Sequence, residues 1–350
     1  DRVEQAEARL IEATRIEGGV YESGDVLEEP GLLRPFVSPV PVYPVFLDLP
    51  LLTGEEVPHA PHIAVTAEPW PGSVAVWSNS ADTSFQVNRL VAAPSIIGVT
   101  ETELAAAPQG LWDRGGALRL RVTGGALASA SELAVLNGAN AMAIGDGSSG
   151  LWEVFQFAQA ALVAPQTYEL SLRLRGQLGT DGIMPPVWPV GSTVVLLDQA
   201  PVQIELAASA RGLARDYRIG ASARGFDDPN VVSISAAFEG IGLRPYPVCH
   251  LAAKRVAGGD LRLNWVRRTR SDGDGWQQIE VPLGEEVEAY LVRVLSGATI
   301  LAEYTVSEPV FDYPAAAQTA DGTTVPFGIE VAQLSQRFGA GPFRHVDILA

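Results

Sequence analysis

Residues 152–181, WEVFQFAQAALVAPQTYELSLRLRGQLGTD, constrain the fold of this chain more than any other stretch. Tyr168, Leu170, Leu172 and Leu174 fall on one side of an alternating segment, and Glu169, Ser171, Arg173 and Arg175 on the other. A helix would scatter those four apolar groups around its circumference. A strand stacks them on one buried face and leaves the charged set in water. Gly176 and Gly179 then break the ladder at a tight bend.

A chain of 350 residues is long enough for two or three domains with cores of their own. Hydrophobic residues at 47% and charged residues at 19% match a folded globular chain. No apolar run approaches the roughly 20 residues of a membrane helix, so a soluble chain is expected. The net charge of −17 repels phosphate and argues against direct nucleic-acid binding. Residues 1–60 hold twelve Asp and Glu against four Arg, which is −8 of that total and reads as a solubilising surface. Lys254 is the only lysine, a bias that carries no functional weight. Cys249 stands alone, which excludes an intrachain disulfide and a Cys-based metal site and suggests a reducing cytoplasm. With Asp1 first and nothing like a signal peptide, the expectation is a processed piece or part of a longer polypeptide.

The predicted architecture is mainly β, in four parts. Residues 1–62 comprise an amphipathic helix over 2–17, with Val3, Ala6, Leu10 and Ala13 on one stripe, and a proline-rich extended strap. Ten prolines between Pro30 and Pro71 forbid a helix or a central strand there; the interspersed Val40, Val42, Val45, Phe46 and Leu49 suggest an apolar strap laid on a neighbouring domain. Residues 63–208 read as a short-strand β domain, a sandwich or a barrel, with a short helix at 101–107 capped by Thr100 and Glu103. Residues 209–242 read as a connector. Residues 243–350 read as a fibronectin type III-like β-sandwich, in which Leu261, Leu263 and Trp265 share a face, as do Tyr290, Val292 and Val294, and the ending IEVAQLSQRFGAGP looks like a late strand of that fold.

No motif commits the chain to chemistry. Gly145 to Gly150 spells GxGxxG, but the strand WEVFQF follows where a dinucleotide site needs a helix, so a hairpin turn is expected. His59 and His62 sit three apart beside Pro58 and Pro61, which preclude a helix presenting both to zinc; they read as loop histidines. Asp272 and Asp274 resemble the start of a calcium loop, yet its twelfth position is Leu283 and not Glu. Asp227, Asp228 and Glu153 are carboxylates whose spacing in sequence says nothing about glycoside hydrolysis. Cys249 and His250 are adjacent on an expected strand and so point to opposite faces. Arg262, Arg267, Arg268 and Arg270, near Trp265 and Trp276, precede Glu280, Glu285, Glu286 and Glu288, which suggests cross-strand ion pairing. The expectation is no catalytic, cofactor-binding or metal-binding residue.

Ten segments carry a resemblance across nearly the whole chain: LDLPLL (47–52), PHAPHIAV (58–65), PWPGSVAV (69–76), LNGANAMAIGDG (136–147), WEVFQFAQAALV (152–163), LRLRGQLGTD (172–181), GLRPYPVCHL (242–251), WVRRTRSDGDGW (265–276), VPLGEEVEAY (281–290) and VAQLSQRFGAGPF (331–343). They resemble the C-terminal region of the megatron of gene transfer agents, the host-specificity or tail-tip protein of related tailed phages. The resemblance implies a virion protein of the distal tail tip or baseplate, a homotrimer around the tail axis. Hub and distal tail proteins would be its neighbours, and host contact and DNA ejection its role. It implies no catalytic residue here and assembly in the bacterial cytoplasm. Two alternatives stand beside it. One is a receptor- or carbohydrate-binding module using Trp70, Trp77, Trp112 or Trp188 as stacking platforms; the other is part of a cell-wall-degrading tail protein whose catalytic module lies elsewhere.

Overall fold

The computed structural model describes residues 2–5, 9–15, 40–79, 84–271, 273 and 281–349. The chain divides into two compact units, Asp1–Ser38 and Pro39–Ala350. In the first, β1 (Arg2–Gln5) and β2 (Arg9–Glu12) pair antiparallel, with Val3 opposite Ile11. A strand pair therefore replaces the helix expected over 2–17. β-Branched Val3 and Ile11 favour extended backbone, and a lone helix of that length is marginal in water. The Pro30–Pro39 part of the proline stretch lies outside the described residues.

The second unit begins with β3 (Tyr43–Leu47), β4 (His62–Thr66), β5 (Val74–Ser78) and β6 (Gln86–Val91). It continues through β7 (Ile97–Thr100), β8 (Leu104–Ala105), β9 (Trp112–Asp113), β10 (Leu118–Thr123), α1 (Glu132–Leu136), β11 (Ala141–Gly145), β12 (Glu153–Ala164), β13 (Thr167–Gln177), β14 (Val187–Trp188) and β15 (Thr193–Leu196). Then come β16 (Val202–Gln203), β17 (Arg215–Ala221) and β18 (Val232–Ala236). The last group is β19 (Cys249–Arg255), β20 (Leu261–Val266), β21 (Tyr290–Ser296), β22 (Thr299–Val306), β23 (Val310–Tyr313), α2 (Ala315–Ala320), β24 (Phe327–Ser335), β25 (Gly339–Ala340) and β26 (Arg344–Ile348).

Strand order defines three modules. One sheet runs β16-β4-β3 and a second β18-β17-β5-β6. Their inner faces share a core that includes Ile63, Val65, Val74, Val76, Tyr217 and Ile219. The C-terminal strands repeat the plan, with β19-β20-β23 facing β22-β21-β24 and β26 added on β24. Lettered in chain order A, B, C, C′, E, F and G, both pairs of sheets read A-B-E and C′-C-F-G, so both sandwiches are fibronectin type III-like. In the second, Trp265 meets Tyr290 edge-on at 5.2 Å, within a core completed by Leu261, Leu263, Val292, Ile329 and Val331. Below that core, Asp321 just after α2 accepts the hydroxyls of Tyr304 at 2.5 Å and Tyr313 at 2.6 Å. The hydrogen bond to Asp321, helped by burial and by the carboxylate's charge, pushes the pKa of the Tyr304 hydroxyl up to about 12.

The stretch 209–242, expected as a connector, carries the F and G strands of the first sandwich. Ala75 of β5 lies opposite Gly220 of β17. Between C′ and E of that sandwich a barrel is inserted. Its strands run β10-β7-β15-β11-β12-β13, all antiparallel, and β10 pairs back onto β13 to close six strands. The barrel thus spans β7 to β15, while the strands on either side of it within 63–208 belong to the sandwich. No helix forms at 101–107: β8 occupies part of it, and the Thr100 hydroxyl accepts from Ser192 N at 3.0 Å and donates to Pro189 O at 3.2 Å instead of capping.

The described part of the proline stretch, from Val40 onward, is packed in, not laid over a surface. Pro44 sits in β3, a sheet edge where its missing N–H breaks no ladder. Alternation sends Phe46 to the sandwich core and Val45 and Leu47 to the barrel side. There Leu47, Leu49 and Ala64 bury against Ile97, Ala143, Val154 and Val195. At about 1.5–3 kcal/mol per buried aliphatic side chain, this seam joins sandwich and barrel firmly.

Candidate functional site

The bend that follows β13 organises the molecule. Leu172 has φ +56°, and this one left-handed residue inverts the strand's alternation. Tyr168 and Leu170 face the barrel core, but Leu174 goes to the opposite side with Val135 and Ala158 beneath α1. Arg173 and Arg175, expected in water, are 1% and 0% exposed. Two guanidiniums inside a β module need full compensation, and the structure supplies it.

Arg175 donates to Glu153 through Nε and Nη2, both at 2.7 Å, and through Nη1 to Ala105 O at 2.6 Å. Glu153 also accepts from Trp188 Nε1 at 2.6 Å and from the Gly176 amide at 3.1 Å, so its two oxygens take four donors. Arg173 holds Asp113 through Nε at 3.0 Å and Nη2 at 2.8 Å, and reaches Leu170 O at 2.7 Å. Burial alone would push Asp113 up; the Gly115 amide and the two guanidiniums outweigh it and hold the carboxyl below the usual range.

The bend then joins barrel and C-terminal sandwich. Gly179, at φ +75°, lies so close to Tyr246 that a Cβ there would sit 2.4 Å from the ring. Gly182 packs on Pro247 and Pro342. Thr180 ties the turn to β12 by accepting from Val154 N at 3.0 Å. Asp181, 9% exposed, pairs with Arg268 at 2.9 Å and with Arg344. Gln109, in the amide orientation that satisfies both its ends, donates to Asp181 at 2.9 Å and accepts from Arg268 at 2.6 Å.

A second joint links the first sandwich to the chain leading into the second. Asp48 accepts from Gly240 N at 2.9 Å and Ile241 N at 2.8 Å. Burial raises its pKa despite those donors and Arg244. Burial likewise lowers Arg244 to about 10 against the pull of Asp48. Arg211 reaches across to Arg337 O at 2.7 Å, and Arg270 joins Gly242 O at 3.2 Å to Glu285 at 2.9 Å.

The sequence-derived candidates are dispersed. Gly145–Gly150 forms the turn between β11 and β12, with Asp146 accepting from the Ser148 and Ser149 amides. His62 is not a loop residue: it opens β4, 8% exposed, with Nδ1 unpartnered, while His59 Nε2 lies 2.9 Å from Leu206 O. Among the described residues, no three of His, Cys, Asp and Glu group so as to hold a metal ion. Asp272, Asp274, Trp276 and Glu280 lie outside the described residues. Asp228 pairs with Arg224 at 2.8 Å, and Glu153 is consumed by Arg175. At His250, φ +54° makes a bulge in β19, and the Cys249 thiol donates weakly to Val266 O at 3.6 Å.

Three of the four clustered arginines form ion pairs, and of these only Arg270 with Glu285 takes an expected partner. Arg262 meets Asp312 at 3.6 Å, Arg268 meets Asp181, and Arg267 donates to Val281 O and Pro282 O. Of the proposed stacking platforms, Trp77 and Trp188 are 6% and 1% exposed, Trp70 packs on the first core, and Trp112 packs near α1. Trp77 and Trp188 are therefore closed to a ligand, and Trp70 and Trp112 are half-buried. Among the described residues no helix is long and apolar enough to cross a membrane.

A model of the family described as Rcc01698-like, C-terminal, matches residues 95–195, the extent of the inserted barrel. No curated protein matches the chain. Among solved structures, the FN1–FN3 domains of chicken CNTN1 align over 83% of this chain and 76% of theirs, at 11% identity and a TM-score of 0.22. Domains d3–d4 of the rat CD45 extracellular region align over 43% of this chain and 72% of theirs, at 10% identity and a TM-score of 0.23. Both superpositions are loose, and the assignment of the two sandwiches rests on strand order alone.

Proposed function

We propose that this chain is a structural component of the distal tail tip, or baseplate, of a tailed phage or gene transfer agent, contributing to host contact and DNA delivery. The observation that carries this reading is where the resemblance to the megatron falls. LDLPLL supplies Leu47, Asp48 and Leu49 at the seams, and LRLRGQLGTD supplies Arg173, Arg175, Gly179 and Asp181. GLRPYPVCHL supplies Gly242, Arg244, Tyr246 and Pro247; WVRRTRSDGDGW supplies Arg268 and Arg270. Four of the ten segments that resemble the tail protein thus supply residues that lock three β modules together, as expected of a part whose task is to hold shape in an assembly.

In this role the chain works beside hub and distal tail proteins in a homotrimer, and it has no catalytic centre of its own. Particles deleted for residues 1–350 are expected to lack a complete tip in electron micrographs and to lose delivery. Complete tips and normal delivery from such particles would overturn the reading.

A further inference from the structure

β3 and β4 are covered on both faces, and the covering fails at one end. Along β3, Val45 and Leu47 face the barrel; along β4, Ala64 does, and all three sit in the apolar seam. The next residues on the same faces, Tyr43 and Thr66, are paired across the two strands but lie beyond the seam. Here sandwich and barrel part to leave a groove of about 480 Å³. Its walls include Tyr43, Thr66 and Glu68 from the sandwich and Val99, Arg121 and Gln166 from the barrel. A junction between modules is where small-ligand sites concentrate, and this volume is within their usual range.

The groove's polar groups are unspent. Tyr43 is 52% exposed. Among the described residues, the side chains of Arg121, Glu68 and Gln166 make no hydrogen bond or ion pair. Thr66 is 3% exposed, and its hydroxyl has no partner. A larger groove of about 590 Å³ lies beside β6 and β16; there Asn88 and Gln203 are already hydrogen-bonded, while Gln86, Arg89, Glu205 and Arg215 complete a polar lining without an aromatic ring. Asn88 joins Ser78 and Glu205, and Gln203 joins Val57 and Ala60. The smaller groove is the one of the two that sets unspent donors and acceptors beside an exposed aromatic ring, Tyr43.

We infer that the groove between the first sandwich and the barrel binds a neutral saccharide. A phenol ring offers a flat face for the C–H side of a pyranose, and its hydroxyl stays wet. Arg121 presents paired donors and Glu68 paired acceptors, a combination that suits vicinal hydroxyls. One cation against one anion gives the groove no net charge, and the chain's −17 opposes a polyanionic glycan at long range. This site is independent of the tail-tip reading and uses none of the tryptophans.

The test is an array of neutral and uronic-acid-containing oligosaccharides probed with the full 350-residue chain and with Tyr43→Ala, Arg121→Ala and Arg89→Ala, the last altering the larger groove. Neutral glycans are expected to bind, with at least tenfold loss in the first two variants and none in the third. Tyr43→Ala disturbs an edge strand, whereas Arg121→Ala alters only an exposed side chain on the barrel wall; unchanged melting temperatures confirm that loss of binding is local. An array without hits, hits confined to uronic-acid glycans, or hits that survive both groove variants would each overturn the assignment.

Discussion

Arg175 and Glu153 meet through two N–O contacts of 2.7 Å with both side chains fully shielded from solvent. Removing one member of such a pair leaves the other charged and buried, at a cost of about 3–5 kcal/mol, whereas replacing both with apolar groups is far milder. Glu153→Gln is expected to lower the unfolding free energy, read from urea titration, by that amount. The double variant Arg175→Met, Glu153→Leu should recover most of it. Equal losses in single and double variants would show that the pair does not act as a unit.

Gly179 and Gly147 have nearly the same φ, +75° and +76°, but different surroundings. A Cβ at Gly179 would strike Tyr246, and one at Gly147 would meet nothing within 4 Å. Gly147→Ala should therefore cost only the left-handed strain, about 1–2 kcal/mol. Gly179→Ala should cost clearly more and should expose the segment around Tyr246 to protease. Matching stability losses in calorimetry would mean that the contact at Tyr246 can relax freely.

Asp181 is the anion between Arg268 and Arg344, whose side chains retain 18% and 35% of their exposure. Asp181→Ala is expected to loosen the joint without melting either core. Hydrogen exchange should quicken at residues 178–182 and 245–248 while β12 and β24 stay protected. Uniform acceleration through all three modules would refute a local latch.

His62 is buried with an unpartnered Nδ1, and desolvation lowers its pKa from 6.5, against a smaller pull from Glu56. The unfolded chain therefore binds a proton that the folded chain resists. Stability from this site is complete above about pH 6.5 and declines as pH falls toward the folded value. A His62→Gln variant should show a shallower loss of melting temperature between pH 7 and 5 than the unaltered chain. Identical slopes would remove His62 as a source of acid sensitivity.

Local alternation was legible and its consequences were not. Leu261, Leu263 and Trp265, and Tyr290, Val292 and Val294, point into the second sandwich as the period-two pattern implies. In β13 the same pattern fails at Leu172, because a single left-handed residue leaves hydropathy unchanged while exchanging the faces of everything after it. Alternation alone therefore puts Arg173 and Arg175 in water, and the structure buries both. The pairing of β5 with β17, which turns a presumed connector into half a sheet, depends on residues as far apart as Ala75 and Gly220. No window along the chain contains both. The bend at Gly176 and Gly179 is legible in the sequence, but its partners Arg268, Arg344 and Tyr246 are brought there only by the docking of another module.

The barrel leaves the first sandwich through β7 and comes back through β15, and these two strands are hydrogen-bonded neighbours, Ile97 beside Val195. A module hung on two adjacent tethers has little freedom to swivel. The C-terminal sandwich is joined through one crossing of the chain, so its hold on the rest depends on side-chain contacts, the Asp181 ion pairs and the Arg211 bond to Arg337 O among them. A pull transmitted along the polypeptide would therefore reach those contacts well before it strained the barrel.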